Sequence, residues 1–414
     1  MAKIKNIKDV VQFQLCSGCG ICAFMEPERF VIKDVLEYGR RPFLKNDKVE
    51  ENGDALKVCP GINLEHTFNR QDPKLLNNLL DSWGPIYDVM EGYASDKEIR
   101  FSGSSGGVVT GLALYCLEKG GMGSVLHTAA RKDKPYLNET VLSKSREELL
   151  ATTGSRYSPS SPCDRLGEID KGDERIAFIG KPCDVAAVQR ARKLKSNLDK
   201  NLGITISFFC AGVPSTEGTL KLLKREGVTD PETISSLRYR GLGWPGKWVA
   251  NFKNKGEGES KQYLSYAESW GFLQQYRQWR CYICPDHSGE FADISIGDPW
   301  YRETKLGELG KSLIVVRTQR GQELLNAAID SGYIVAEKSD SSLLPRSQPN
   351  MLNSRNLLWG RLLALRFSAA AVPNYRGFQI IYLWWYKLSG LKKVRSILGT
   401  IKRVFRKGLY KRII

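Results

Sequence analysis

From Ser124 to Leu344, short apolar runs alternate with stretches whose apolar residues recur at three- and four-residue steps. The first pattern is that of strands buried on both faces, and the second that of helices laid against them. The alternation therefore predicts an α/β core. Strands are expected at Ser124–Ala129, Ile176–Ile179, Ile204–Phe209, Trp248–Phe252, Ala292–Ile296 and Ser312–Val316, with another upstream at Val89–Ala94. Helices are expected at Arg146–Thr152, Val185–Lys195, Thr216–Arg225 and Gly321–Ser331. A further apolar helix, Val108–Leu117, is opened by Ser102-Gly103-Ser104-Ser105-Gly106-Gly107 and closed by Glu118-Lys119-Gly120-Gly121. Residues 66–85 read as a polar connection. Four segments follow: 1–65, 86–175 and 176–340 as the two parts of the core, and 341–414.

The last segment has a different rhythm. Phe378-Gln379-Ile380-Ile381-Tyr382-Leu383-Trp384-Trp385-Tyr386 is aromatic and apolar but too short to span a bilayer. After it, Leu391, Val394, Leu398, Ile401 and Phe405 form a helical stripe, with Lys392, Lys393, Arg395, Lys402, Arg403, Arg406 and Lys407 mostly off it. Charge sharpens this picture. The chain has 62 Lys and Arg against 45 Asp and Glu, a net +17. Residues 341–414 hold fifteen of those basic residues and no acidic one, leaving 47 against 45 elsewhere. A basic amphipathic helical tail suits an anionic membrane surface, so peripheral contact through residues 376–414 with the inner face of the cytoplasmic membrane is expected. Packing on the body with a solvated basic face is the competing reading. No nucleic-acid-binding motif accompanies the charge, and no nucleic acid partner is expected.

Ten cysteines carry the candidate chemistry. No apolar signal segment and no run of about eighteen apolar residues is present, so metal binding in a reducing cytoplasm is expected over disulfides. Cys16-x-x-Cys19-x-x-Cys22 is the spacing that wraps a [4Fe–4S] cube, with Gly18 and Gly20 letting the backbone curl. The Cys-Pro expected next is replaced by Glu26-Pro27, and a lone Cys59-Pro60 follows farther on. Residues 1–65 thus read as a ferredoxin-like module with one cube held by Cys16, Cys19, Cys22 and Cys59. A zinc knuckle is the rival. Cys183 closes one apolar strand, Cys210 ends another, and Cys281-Tyr282-Ile283-Cys284 supplies two more thiols. Four thiolates brought to one point suit zinc or an iron–sulfur cluster, and buried apolar cysteines are the alternative. Cys116 is expected in the core, and Cys163 either there or as a loop thiol.

Two further signals are weaker. The Ser102–Gly107 turn running into a helix is a ready anion site, or simply a flexible cap. Gly154-Ser155-Arg156-Tyr157 breaks the helical pattern and puts an arginine beside an aromatic. No G-x-G-x-x-G follows a strand, so a Rossmann dinucleotide site has no local support.

The order of these motifs resembles the beta subunits of coenzyme F420 hydrogenases and dehydrogenases. The resemblance runs from the Cys16–Cys22 loop and Cys59-Pro60 through Phe101–Gly107, Gly154–Tyr157, Gly180-Lys181-Pro182-Cys183 and Phe209-Cys210. It continues through Arg238-Tyr239-Arg240-Gly241, Cys281–Cys284, Ala292–Asp298 and Gly310-Lys311-Ser312, covering roughly residues 10–335. It implies a flavoprotein with FAD beside an iron–sulfur cluster. Cys183, Cys210, Cys281 and Cys284 would ligate a flavin-proximal [4Fe–4S] cluster. Ser102, Gly103, Ser104, Ser105, Gly106 and Gly107 would hold the flavin pyrophosphate, with Gly154, Ser155, Arg156 and Tyr157 lining the same site. Electrons would then pass from a ferredoxin-like donor through two clusters to FAD and on to a small-molecule or lipid-linked substrate, in the setting of polysaccharide biosynthesis that some relatives share. A relay subunit docked on a separate catalytic partner, an F420-dependent reductase, and a chain of structural zinc sites are the alternatives. His287 is a candidate proton donor, against a surface histidine after the cluster loop. Asp293 and Asp298 read equally well as turn caps.

Overall fold

The computed structural model describes residues 2–46, 52–253, 261–303 and 308–413. Cys16 and Cys19 lead into helix Ile21–Met25, which carries Cys22 and is followed by an antiparallel ladder of β1 (Phe30–Val35) and β2 (Gly39–Leu44). Helix Asp54–Val58 delivers Cys59 at its C-terminal cap, and β3 (Asn63–Glu65) follows. That helix has no capping side chain of its own. Glu26 supplies one, its carboxylate accepting the Ala55 N–H at 2.8 Å. The residue standing where a fourth cysteine was expected thus ties the cysteine loop to Cys59.

The body is built on β4 (Asp88–Ala94), β5 (Ser124–Ala130), β6 (Asn138–Ser143), β7 (Ile176–Gly180) and β8 (Leu202–Phe208). A small antiparallel sheet of β9 (Ile234–Arg238), β10 (Lys247–Phe252) and β11 (Lys261–Ser265) interrupts it. The main sheet resumes with β12 (Ile294–Gly297), β13 (Ser312–Val316) and β14 (Ile334–Lys338). Its eight strands lie in the order β14-β4-β13-β12-β8-β7-β5-β6. Strands β5, β7, β8 and β12 are parallel; β13 opposes β12, and β4 opposes β13. Every residue of β7 and β13 is buried, as continuous apolar runs require when both faces are covered.

Alternation along β7 shows the two faces. Ala177 and Ile179 join Leu112 of helix Val108–Glu118 and Leu325 of helix Gln319–Asp330. Ile176 and Phe178 face the other way, into a cluster that also holds Leu15, Cys22 and Leu56 from the N-terminal part and Leu362, Phe378 and Val404 from the C-terminal helices. The basic helical segment expected from residue 341 onward packs on the body. Residues beyond 341 share the body's core, and β15 (Asn374–Arg376) pairs in parallel with β3. Apolar residues such as Leu362 and Leu365, outside the basic stripe, are what draw this segment inward.

One boundary matters for the site. The expected helix Val185–Lys195 begins at Pro182 and ends at Ala191. Pro182 occupies the first turn, where its missing N–H costs nothing, and Asp184 accepts the Lys181 N–H at 2.9 Å. Cys183 therefore sits in the first turn of a helix, not in a free turn after the strand.

Candidate functional site

Strand direction gathers the motifs. Because β4, β5, β7, β8 and β12 run the same way, their carboxyl ends share one edge of the sheet. The Ser102–Gly107 loop follows β4, Cys183 follows β7, Cys210 follows β8 and Asp298 follows β12. In open α/β sheets this is the edge where ligands bind.

The cysteines fall into two sets. Cys22 is affected electrostatically by Cys16, Cys19 and Cys59, and burial, the larger effect, holds its thiol well above the ordinary range. Burial also pushes Cys59 up to about 12. In the second set, Cys183 interacts with Cys210 and Cys284, and Cys210 with Cys281 and Cys284. Burial pushes Cys210 up to about 12 and Cys284 up to about 11. Backbone N–H groups point at sulfur in both, Gly18 to Cys16 at 3.3 Å and Val213 to Cys281 at 3.4 Å. All ten cysteines are free. Among the described residues, no three His, Cys, Asp or Glu side chains close on one point at the spacing of a single metal ion. Each set is thiol-only and receives backbone donors, a donor chemistry that fits an iron–sulfur cluster.

Cys116 is in the core, packed with Leu112 and Val125. Cys163 is not an exposed loop thiol. It is fully buried against the first set, where its N–H donates to the Cys19 carbonyl at 3.0 Å. Gly20, with φ of +90°, makes that contact possible, since a Cβ there would stand 2.8 Å from the Asp164 nitrogen.

Two arginines and a tyrosine lie between the sets. Arg41 of β2 donates to Gln278 at 2.8 Å and to its neighbour's carbonyl, and the thiols of Cys16 and Cys281 both act on its charge. Arg280 donates to the Pro60 carbonyl at 2.8 Å and to the Ile283 carbonyl at 3.3 Å, so it touches the chain next to Cys59 and inside the Cys281–Cys284 loop. Burial opposes its charge, but Tyr375 and the thiols of Cys284, Cys183 and Cys281 outweigh this and raise its pKa. The Tyr375 hydroxyl donates to the Ile283 carbonyl at 2.9 Å. Both arginines are buried, and among the described residues neither has a carboxylate partner. Sequence reasoning missed all three. For Arg280 the visible signal was its place beside Cys281; Arg41 and Tyr375 offered none.

The Ser/Gly loop and Gly154–Tyr157 do meet. The Ser155 N–H donates to Ser104 Oγ at 2.5 Å. Ser105 Oγ donates to the Lys311 carbonyl at 2.7 Å, and the Gly106 N–H to Ser312 Oγ at 2.9 Å, clasping the loop to the start of β13. Helix Val108–Glu118 begins after Gly107 with no capping side chain. Arg238 donates to the Ser102 carbonyl at 2.9 Å, and a Cβ on Gly154 or Gly241 would press on its guanidinium at 2.7 and 2.6 Å. A half-buried cation walled by glycines, near an uncapped helix start, fits a pyrophosphate.

Arg156 does not. Its guanidinium is spent on Asn138 and on the Leu237 and Pro135 carbonyls, holding β6 to β9. Most of its donors are committed to these contacts. Tyr157 instead joins an aromatic cluster with Trp270 at 5.1 Å and Tyr239 at 6.0 Å. Beside it lies a buried pair the sequence did not foretell. Arg240 binds both Asp298 oxygens at 2.6 Å, Trp244 donates to Asp298 at 2.9 Å, and Trp300 stacks between Trp244 and Tyr266. Asp298 is thus an ion-pair partner, whereas Asp293 clasps Thr205, Thr318 and Arg320. His287 is no surface histidine. Its Nδ1 lies 2.8 Å from the Cys210 carbonyl, and burial pushes its pKa down to about 4. The expectation of a proton donor titrating near neutrality is corrected accordingly.

Two family models match consecutive stretches of the chain. The coenzyme F420 hydrogenase/dehydrogenase beta subunit N-terminal model covers residues 89–166, and the C-terminal model covers 173–342. The coenzyme F420 hydrogenase subunit beta of Methanosarcina barkeri is 24% identical over 254 residues, 60% of this chain and 81% of that protein. The F420-dependent formate dehydrogenase 1 subunit beta of Methanococcus maripaludis is 29% identical over 244 residues, 58% of this chain and 59% of that one. The coenzyme F420-dependent sulfite reductase of Methanocaldococcus jannaschii is 23% identical over 326 residues, 78% of this chain but 47% of that protein. In fold, the chain is similar to a subunit of the F420-reducing [NiFe] hydrogenase complex from Methanosarcina barkeri. There the TM-score is 0.52 at 19% identity, over 68% of this chain and 94% of the other.

Proposed function

Because the chain belongs to the coenzyme F420 hydrogenase/dehydrogenase beta subunit family, we propose that it is an iron–sulfur flavoprotein that relays electrons between a one-electron carrier and a two-electron organic acceptor. The observation that carries this reading is the pair of thiol sets sharing Arg41 and Arg280. Two buried cations without carboxylate partners among the described residues are matched to two groups that gain negative charge on reduction. In this reading Cys16, Cys19, Cys22 and Cys59 hold one [4Fe–4S] cluster, and Cys183, Cys210, Cys281 and Cys284 the other. The Ser102–Gly107 loop, Gly154, Ser155 and Arg238 hold the pyrophosphate of FAD, with Tyr157 on the wall of the site. Bound flavin accepts electrons singly and delivers them as a pair, which is the chemistry a junction between clusters and an organic acceptor needs.

The chain's own residues have separable tasks. Arg238 orients the phosphates, and Arg240 with Asp298 holds Tyr266, Trp244 and Trp300 in place beside them. Arg41 lines an open cavity of about 300 Å³ together with Gln278, Glu37 and Lys407, and this is where a ferredoxin-like donor would approach. Relatives named as hydrogenase and formate dehydrogenase subunits favour a relay that works with a catalytic partner. The first thiol set favours the second reading, a reductase complete in one chain, because its residues share the body's core. Coenzyme F420 is the acceptor or donor that the relatives' names suggest. A cytoplasmic site of action suits ten free thiols.

Purified without oxygen, the chain is expected to hold about eight iron and eight sulfide in two cubes, with one FAD. Cys19→Ser is expected to remove half the iron and leave flavin bound and chemically reducible, whereas Cys281→Ser blocks flavin reduction through either cluster. Colourless protein with stoichiometric zinc would overturn the relay. Iron retained without flavin after reconstitution would overturn the flavin site alone.

A further inference from the structure

The C-terminal helix is mounted the wrong way round for a packing element. In helix Gly390–Lys407 the buried positions are Ser396, Thr400 and Val404. Its apolar stripe faces out: Leu391 is 62% exposed, Leu398 60% and Phe405 59%. Helix Ile380–Lys387 continues the same character, with Trp385 58% and Tyr386 70% exposed. An amphipathic helix normally turns that stripe to the core. Here small groups hold it instead. Gly360 of helix Leu358–Phe367 lies so close to Ser396 Oγ that a Cβ would collide with it, and Trp384 donates to the same oxygen at 3.0 Å. The helix is thus fixed through its polar seam, and the apolar face is left free.

Its surroundings are cationic. Among the described residues, Lys392, Lys393, Arg395, Lys402, Arg403, Arg406 and Lys407 have no carboxylate partner, and no acidic residue exists from 341 onward. Between this helix and helices Pro349–Asn356 and Leu358–Phe367 lies a cavity of about 230 Å³ lined by Arg361, Lys392, Arg395 and Arg403, with Ser396 and Thr400. Among the described residues, no carboxylate lines it. Among the described residues, no helix is long and apolar enough to cross a membrane. A face with an outward apolar stripe, exposed tryptophan and tyrosine and flanking cations matches the headgroup boundary of an anionic bilayer, lying on it and not through it.

We propose that helices Ile380–Lys387 and Gly390–Lys407 seat the protein on an anionic membrane surface, with Leu391, Leu398 and Phe405 entering the headgroup boundary and the flanking cations, Arg395 and Arg403 among them, meeting lipid phosphates. The placement reaches the redox site. Tyr282, inside the Cys281–Cys284 loop, is flanked by the guanidinium groups of Arg277 and Arg403, each 4.8 Å from its ring, and its carbonyl accepts from Arg361 at 2.6 Å. The second thiol set therefore sits directly behind the seated face.

Flotation of the full-length, cofactor-loaded protein tests this. It is expected to float with phosphatidylglycerol-containing vesicles at low salt and at least tenfold less with pure phosphatidylcholine. Leu391→Asp combined with Leu398→Asp, both exposed, is expected to abolish flotation while iron content and circular dichroism stay unchanged. Arg395→Gln with Arg403→Gln is expected to weaken it about tenfold, and inorganic phosphate at matched concentration is expected not to displace the protein. Full-length protein left at the bottom of the gradient, or flotation undiminished by the aspartates, would overturn the membrane face. Displacement by inorganic phosphate would assign the cations to a soluble anion, and release from vesicles by DNA would assign them to nucleic acid; either result refutes the lipid contact.

Discussion

A guanidinium buried without a carboxylate costs several kcal/mol unless negative charge meets it elsewhere. Arg41 and Arg280 meet the thiol sets, and with the clusters proposed above these would be the residues that adjust their potentials. Arg280→Gln is expected to stabilise the oxidised form of both clusters by at least tenfold in the redox ratio, or 59 mV lower for a one-electron couple. Redox titration followed by electron paramagnetic resonance reads this without turnover, and Arg280→Lys should recover most of the shift. A change confined to one cluster would refute the shared role. His127 yields a second residue-scale prediction. It is buried on β5, 2.8 Å from Ser143 Oγ, and burial pushes its pKa down to about 4. The unfolded chain binds this proton near pH 6.5, so the neutral histidine's contribution is complete above that pH. It is lost as pH falls toward about 4 and amounts to on the order of 3 kcal/mol. His127→Gln should therefore flatten the difference between urea midpoints at pH 7 and pH 5, and an unchanged difference would count against it. The cysteine loops were legible at this scale, because spacing is written in the chain. Arg41 and Arg156 were not, since a guanidinium's partner is set by which distant carbonyl or thiol the fold brings to it.

At the scale of elements, the strands that are apolar throughout were read from the pattern nearly to the residue, as at β13 and β7. Edge strands such as β6 and β14 were not, because half-polar residues carry no distinct run. Loops were legible as glycine-rich but not as to purpose. Gly106 has an ordinary φ, yet a Cβ there would stand 2.7 Å from the Gly92 carbonyl and 2.8 Å from the Ser312 nitrogen. Both obstacles are backbone, so the loop must move off β13. Gly106→Val is expected to lose bound flavin while keeping the full iron content, at a stability cost of about 1–3 kcal/mol. Flavin fluorescence released on denaturation, measured beside iron, checks this. Full flavin occupancy would move the cofactor away from the loop.

At the scale of the molecule, the N-terminal cysteine part, the sheet and the C-terminal helices share one core, which places the first thiol set within reach of the second. Expected as separate segments, they read that way because contacts such as β15 with β3 join residues far apart in the chain. The amphipathic stripe of residues 391–405 is the clearest divide between the two kinds of information. Periodicity and charge alone determined that a basic amphipathic helix would form and that the core is α/β, and Cys16-x-x-Cys19-x-x-Cys22 and Cys281-x-x-Cys284 were visible as spaced thiols. Which way the helix faces was decided only by tertiary structure. Gly360 and Ser396 allow a close polar seam, and a helix turns toward whichever face its neighbours can approach most nearly. The same holds for the relay. Spacing points to candidate cysteines, but the meeting of the two sets and the cations between them exist only once the chain has closed on itself.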